Sequence, residues 1–198
     1  MKRHLIVVDV ETNGLSPERH EAIEVAWWNL DTDERGSFIP AHNVSKVLGT
    51  AQVKALQVNR YIDRIPGAEQ DHEFKALSRL HGQFLEYDED NVDDVHGAAE
   101  IRHALAGSNP TFDAAMLAKL FNTGTDVTDR DTAPWHHRLW DLSAYAAGVL
   151  DLDELPGLAR VCAILGVEDA PNHTAEGDVA ATGACFKRLR QIAAERAS

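Results

Sequence analysis

An apolar run that ends in two acids stands near the start of the chain, as Leu5-Ile6-Val7-Val8-Asp9-Val10-Glu11-Thr12. Four consecutive apolar residues are typical of a central strand that is covered on both faces. Side chains alternate between the two faces of a strand, so Asp9 and Glu11 point the same way. Two like charges at such a place raise each other's pKa and destabilise the fold unless a cation lies between them. We therefore expect a bound cation at the end of this strand.

The elements that follow predict an α/β fold. Asn13-Gly14 marks a turn. The acid-rich residues 87–95 predict an exposed loop, and residues 100–106 are compatible with a helix end or with a fourth strand. Strands are expected over 23–30, 36–41 and 138–142, and helices over 45–86 with a break at Pro66-Gly67, 111–121, 143–149, 158–165 and 176–194. The pattern predicts a mixed sheet of about five strands flanked by helices, in a single domain over residues 1–198.

Composition places the chain among globular proteins. With 198 residues, of which 44% are hydrophobic and 26% charged, it can bury one sizeable core. No run of 18 apolar residues is present, so we expect no membrane span, and Leu5–Val8 is too short for a signal peptide. Cys162 and Cys185 lie in apolar, helix-like contexts, which favours two buried thiols in a reducing compartment. We expect a cytoplasmic protein, bacterial or expressed by a bacteriophage in its host.

The net charge of −13 argues against a protein that grips long stretches of nucleic acid, because phosphate contacts need Lys and Arg. It leaves open an enzyme that handles only the end of a strand. The chain has ten histidines, yet no cluster with the ligand spacing of a zinc site is evident in the sequence.

Two further motifs bring polar residues to element boundaries. Asn109-Pro110 favours a helix start, since Asn is a good N-cap and Pro suits the first helical position. A substrate contact is the alternative for Asn109. Asp113 then falls in the first helical turn.

The third motif contains His173 and Asp178, which would not share a face of one helix, because five residues turn it by about 500°. Pro171-Asn172 breaks any preceding helix, so His173 is predicted in a loop and Asp178 in the helix after it. A loop histidine near a metal site can act as a general base.

In combination, these stretches resemble the DEDDh 3′-5′ exonucleases of the ribonuclease H-like superfamily, to which polymerase proofreading subunits belong. The matching segments are residues 8–15, 107–113 and 172–182, in the family's order and over most of the chain. The resemblance implies a ribonuclease H-like fold. Residues 45–95 match no member that we can align.

The resemblance also implies a set of roles. Asp9, Glu11, Asp113 and Asp178 would hold two Mg²⁺ or Mn²⁺ ions, and His173 would deprotonate the attacking water. Leu15 would pack on the terminal base, and further substrate contacts would come from Thr12, Asn13 and Asn109.

The implied activity is release of nucleoside 5′-monophosphates from the 3′ end of single-stranded DNA, in proofreading or trimming. Two alternatives stay open. One is the same chemistry on RNA ends or short oligoribonucleotides. The other is a non-catalytic module that binds a strand end or a DNA polymerase. The sequence does not predict an oligomeric state.

Overall fold

A computed structural model describes residues 2–93, 97–121, 133–168 and 171–197. The strands are β1 (Leu5–Thr12), β2 (Ala22–Asn29), β3 (Arg35–Phe38), β4 (Leu85–Asp93), β5 (Gly97–Arg102), β6 (Ala104–Gly107) and β7 (Trp140–Asp141). The helices are α1 (Val44–Thr50), α2 (Val53–Val58), α3 (Tyr61–Arg64), α4 (Lys75–Phe84), α5 (Pro110–Phe121), α6 (Leu142–Leu150), α7 (Leu158–Leu165) and α8 (Ala175–Ala197).

The main sheet has five strands in the order β3-β2-β1-β6-β7. The β1-β2 and β2-β3 pairs are antiparallel, whereas β6 is parallel to both β1 and β7. The expected mixed sheet of about five strands flanked by helices, in one compact domain, is therefore confirmed. β1 lies at its centre, as its continuous apolar run predicts.

The period-two alternation of β1 divides the core into two layers. Leu5 and Val7 belong to the layer that contains α6, α7 and α8, with Phe186 and Leu189 fully buried. Ile6, Val8 and Val10 belong to the opposite layer, with α4 and α5. Burial at both faces of β1 fixes its register, because a shift by one residue would exchange the layers.

The prediction for residues 87–95 is wrong where the structure describes them. β4 continues to Asp93 and pairs with β5 in a separate antiparallel hairpin, while residues 94–96 lie outside the described part. Acidic composition predicts solvent exposure, and Tyr87 is indeed exposed, but it does not determine whether the backbone finds a partner strand. The ambiguous residues 100–106 form the end of β5 and most of β6.

Both cysteines are buried and free, as the sequence predicts. Their sulfur atoms are 3.5 Å apart, a non-bonded contact between α7 and α8. Within the described residues, no helix is both long enough and apolar enough to cross a membrane.

Candidate metal and strand-end site

Three carboxylates meet where β1 approaches the start of α8. Oxygen atoms of Asp9, Glu11 and Asp178 all lie within 4.8 Å of one another. Asp9 and Glu11 share a face of β1, as their spacing predicts, and Asp178 is in the first turn of α8. Such a group of oxygen ligands suits a hard divalent cation.

Asp113 lies beside this group but is not one of the three. It is 5% exposed in the first turn of α5, and its Oδ1 accepts a hydrogen bond of 3.0 Å from the backbone N–H of Val10. Gly107 allows this approach: a Cβ there would lie 3.2 Å from the carbonyl oxygen of Val8 and 3.4 Å from Asp113 Oδ2. The helix is therefore held against β1 with its carboxylate next to the cluster.

Burial and mutual repulsion raise the pKa values of the carboxylates in this cluster. Burial raises the pKa of Asp9 well above its usual range, and the charges of Asp113 and Glu11 raise it further. Burial, with the charge of Asp178, raises the pKa of Glu11 to about 7. Burial also raises the pKa of Asp113 to about 7, against the hydrogen bond from Val10. Carboxylates confined in this way are stabilised in their ionised form by a divalent cation, so the donor set fits the expected metal.

The segment before α8 presents His173 to solvent. His173 has a φ of 59°, in the left-handed region that histidine adopts more often than most residues. Its backbone N–H and that of Asn172 donate to Asp178 Oδ1, at 3.2 and 2.9 Å. Among the described residues both bonds go to Oδ1, which leaves Oδ2 available as a ligand. The loop position expected for His173 and the helical position of Asp178 are both observed.

A fifth carboxylate, Glu24, was missed by the sequence analysis. It lies opposite Glu11 in the β1-β2 register, and it accepts from the backbone N–H of Ala175 at 3.1 Å. Arg64 donates to its other oxygen at 2.6 Å, with side chains 21% and 12% exposed. The pair thus joins α3, β2 and the start of α8. An acid between Ile23 and Val25 was a usable signal for Glu24, whereas no pattern singled out Arg64.

The proposed substrate contacts occupy different surroundings. Leu15 is 74% exposed in the loop after β1. Asn109 is exposed directly before α5, and its carbonyl accepts from the N–H of Phe112. The Thr12 hydroxyl is buried and donates to the carbonyl of Gly14 at 2.7 Å.

Asn13 faces inward instead. Its side chain is fully buried, donates to the carbonyl of Val47 and to Thr50 Oγ1, and accepts from the N–H of Glu21. In this structure the side chain of Asn13 is committed to folding contacts that join β1 to α1. The end of a bound DNA strand could therefore contact the residues on either side of Asn13 but not its side chain.

A second polar group, formed by His4, Glu86 and His103, has ligand atoms at similar separations. The imidazole rings of His4 and His103 are stacked, with centroids 4.2 Å apart and planes 18° from parallel, so their in-plane lone pairs do not converge. Nδ1 of His103 accepts from the N–H of His4, and Nε2 is 3.2 Å from Glu86 Oε2. Nε2 therefore carries the proton and donates to Glu86, which excludes it as a ligand atom in this arrangement.

Fold and site together define a class of protein. It has a ribonuclease H-like fold and, at the end of its central strand, a carboxylate cluster suited to divalent cations.

Solved structures with this fold include E. coli exonuclease I. Its zinc-bound complex with single-stranded DNA superposes with a TM-score of 0.66 at 19% identity, over 96% of this chain and 41% of that one. Its complex with a dT13 oligonucleotide gives the same values. An exonuclease I complex with SSB-Ct gives a TM-score of 0.65 at 20% identity, over 97% and 42%.

The chain thus spans about two fifths of the length of these neighbours. The expected resemblance is confirmed in the fold. Comparison with protein-family models and with curated proteins gives no match.

Proposed function

We propose that this chain is a metal-dependent 3′-5′ exonuclease that releases nucleoside 5′-monophosphates from single-stranded DNA. The observation that carries the proposal is the cluster of Asp9, Glu11 and Asp178, with their oxygens within 4.8 Å, on a fold shared with exonuclease I. The neighbours' complexes with single-stranded DNA support the choice of substrate.

Asp9, Glu11 and Asp178 would hold the metal, Mg²⁺ or Mn²⁺, with Asp113 as the fourth ligand of a two-ion site. When bound, such ions polarise the scissile phosphate and favour ionisation of a water molecule.

His173 is the proposed general base. A water attacks the phosphorus atom of the last internucleotide linkage, and an imidazole nitrogen of His173 takes its proton. The bond between phosphorus and the 3′-oxygen of the penultimate nucleotide breaks, this oxygen takes up a proton from solvent, and the terminal nucleotide leaves with a 5′-phosphate. The exposed position of His173 allows the proton to pass on to solvent.

Leu15, Thr12 and Asn109 are the proposed contacts of the terminal nucleotide. Asn13, whose side chain and backbone are hydrogen-bonded within the protein, would serve the substrate by holding the segment that carries Leu15. Exposed Leu15 supplies an apolar surface on which a base can pack. Entry of a free 3′ end requires an unpaired strand, so single-stranded DNA should be cut faster than duplex.

The test is a time course on 5′-labelled single-stranded DNA and on RNA of the same sequence, with Mg²⁺, Mn²⁺ or EDTA. We expect a metal-dependent ladder that shortens from the 3′ end, faster on DNA. A faster ladder on RNA would assign the same chemistry to RNA ends. Absence of any ladder from the folded protein, or activity unchanged in Asp9→Asn, would refute the proposal and favour a module that binds a strand end or a polymerase.

A further inference from the structure

A basic pocket lies at the end of the sheet opposite to the carboxylate cluster. It is open, has a volume of about 550 Å³, and is lined by four cationic side chains, those of Lys2, Arg3, Arg138 and Arg190. This concentration of positive charge contrasts with the net charge of −13 of the chain. Basic side chains gathered at one place in an acidic protein repel one another, so the arrangement is stabilised by an anion.

The charges of the pocket are only partly neutralised by the protein. Asp31 accepts from Lys2 at 2.8 Å and is 3.8 Å from Arg190. Arg3 donates through Nε to a backbone carbonyl, and in the described part of the chain neither Arg3 nor Arg138 forms an ion pair. Four cations therefore face one carboxylate. Desolvation lowers the pKa of His136 at the pocket wall, and the positive charge of Arg3 lowers it further.

Apolar and aromatic surfaces complete the lining. Leu5 and Ala104, the first residues of β1 and β6, line the pocket beside Trp140 of β7. Trp140 is 39% exposed, whereas Trp27, Trp28 and Trp135 are at most 6% exposed. A half-exposed indole beside guanidinium groups offers a stacking surface next to an anion site.

The distance between this pocket and the carboxylate cluster follows from β1 and α8, since each of them has one residue in the pocket and one in the cluster. Leu5 and Glu11 are six residues apart on β1, which at about 3.3 Å per residue is about 20 Å. Arg190 and Asp178 are twelve residues apart on α8, which at about 1.5 Å per residue is about 18 Å. The pocket is therefore a separate place on the molecule.

We propose that this pocket binds a phosphate-bearing nucleotide, with Arg3 and Arg138 on the phosphate and Trp140 against the base. Guanidinium groups match phosphate oxygens in pairs, and the volume suits one nucleotide. The choice of a nucleotide over other anions rests on the proposed function. The nucleotide comes either from solution, as a monophosphate, or from a single strand.

The experiment follows tryptophan fluorescence of the full chain in EDTA, where the carboxylate cluster holds no metal. The probes are deoxythymidine 5′-monophosphate, unphosphorylated thymidine, oligo(dT) and a hexa-aspartate peptide. We expect saturable quenching by the monophosphate or by oligo(dT), and none by thymidine. Arg138→Glu should weaken binding about tenfold or more, the effect of losing a charge-assisted contact. Arg138→Ala should reduce the slope of log affinity against log salt by about 1.

Matched variants distinguish a loss of binding from a loss of the fluorescence change and from unfolding of the protein. Arg79→Glu reverses another exposed charge, on α4 and outside the pocket, and should bind like the unmodified protein. Trp140→Phe should lose the fluorescence change but retain binding in equilibrium dialysis with labelled monophosphate. Thermal unfolding of each variant verifies the fold. Arg138 is exposed, and within the described residues its side chain forms no ion pair.

Each outcome decides the proposal. Binding of the monophosphate assigns a free nucleotide as the ligand, and binding of oligo(dT) alone assigns nucleotides of a strand. Binding of the peptide without either nucleotide, equal binding by Arg138→Glu, or no binding at all would overturn it. Metal-dependent cleavage is measured separately, so a nuclease without this pocket, and a nucleotide-binding protein without cleavage, give different results.

Discussion

Glu11 should make the metal-free protein less stable as the pH rises. Its pKa is raised from 4.5 to about 7 by burial and by the charges of Asp178 and Glu24, while Arg64 lowers it. A difference of about 2.5 pH units, at about 1.36 kcal/mol per unit, corresponds to about 3 kcal/mol. Because the folded state holds this proton more tightly than the unfolded chain, the stabilisation is complete below pH 4.5 and is lost as the pH passes 7.

The assay is urea unfolding in EDTA at several pH values between about 5 and 8.5. We expect the free energy of unfolding to fall by about 3 kcal/mol or more over this range, since Asp9 and Asp113 add to the effect in the same direction. Glu11→Gln should flatten the dependence by about 3 kcal/mol and should stabilise the metal-free protein at high pH.

Glu34→Gln is the control, because it removes a carboxylate that pairs with Arg79 at the surface. A pH dependence of Glu11→Gln as steep as that of the unmodified protein would refute the electrostatic account of the cluster.

Four further predictions concern metal binding, the general base, the ion pair of Glu24 and the contact of Leu15 with the substrate. Millimolar Mg²⁺ or Mn²⁺ should raise the melting temperature, because the ions bind the folded cluster alone; no shift in calorimetry would count against the site. His173→Ala should lower the single-turnover rate by roughly 10²–10⁴, the contribution of a general base, and an equal loss of Mn²⁺ affinity in titration calorimetry would contradict that role. Arg64→Ala should lower the free energy of unfolding in urea by roughly 2 kcal/mol, because it leaves Glu24 without its charged donor. Arg79→Ala, which removes an exposed ion pair, should lower it much less. Leu15→Ala should raise KM for single-stranded DNA in steady-state assays with little change in melting temperature, since Leu15 is 74% exposed. A fall in kcat with KM unchanged would assign Leu15 another role.

Local patterns in the sequence were sufficient to predict the centre of this protein. The apolar run of β1 predicted a central strand, and alternation along a strand placed Asp9 and Glu11 on one face. Pro171-Asn172 predicted the break that leaves His173 outside α8. These features depend on backbone preferences within a few residues, which is the range at which a sequence can be interpreted without the fold.

Tertiary structure alone decided which distant residues meet. Glu24 and Arg64 lie forty residues apart, and their contact with the start of α8 depends on the pairing of β2 with β1 and on the path of α3. The inward orientation of Asn13 depends on α1, most of which lies in the segment that could not be aligned to the family from sequence alone. The β4-β5 hairpin exists because the acid-rich segment of β4 and the segment of β5 supply each other's backbone partners. Composition and periodicity describe each segment alone, whereas such contacts depend on what the rest of the chain places beside it.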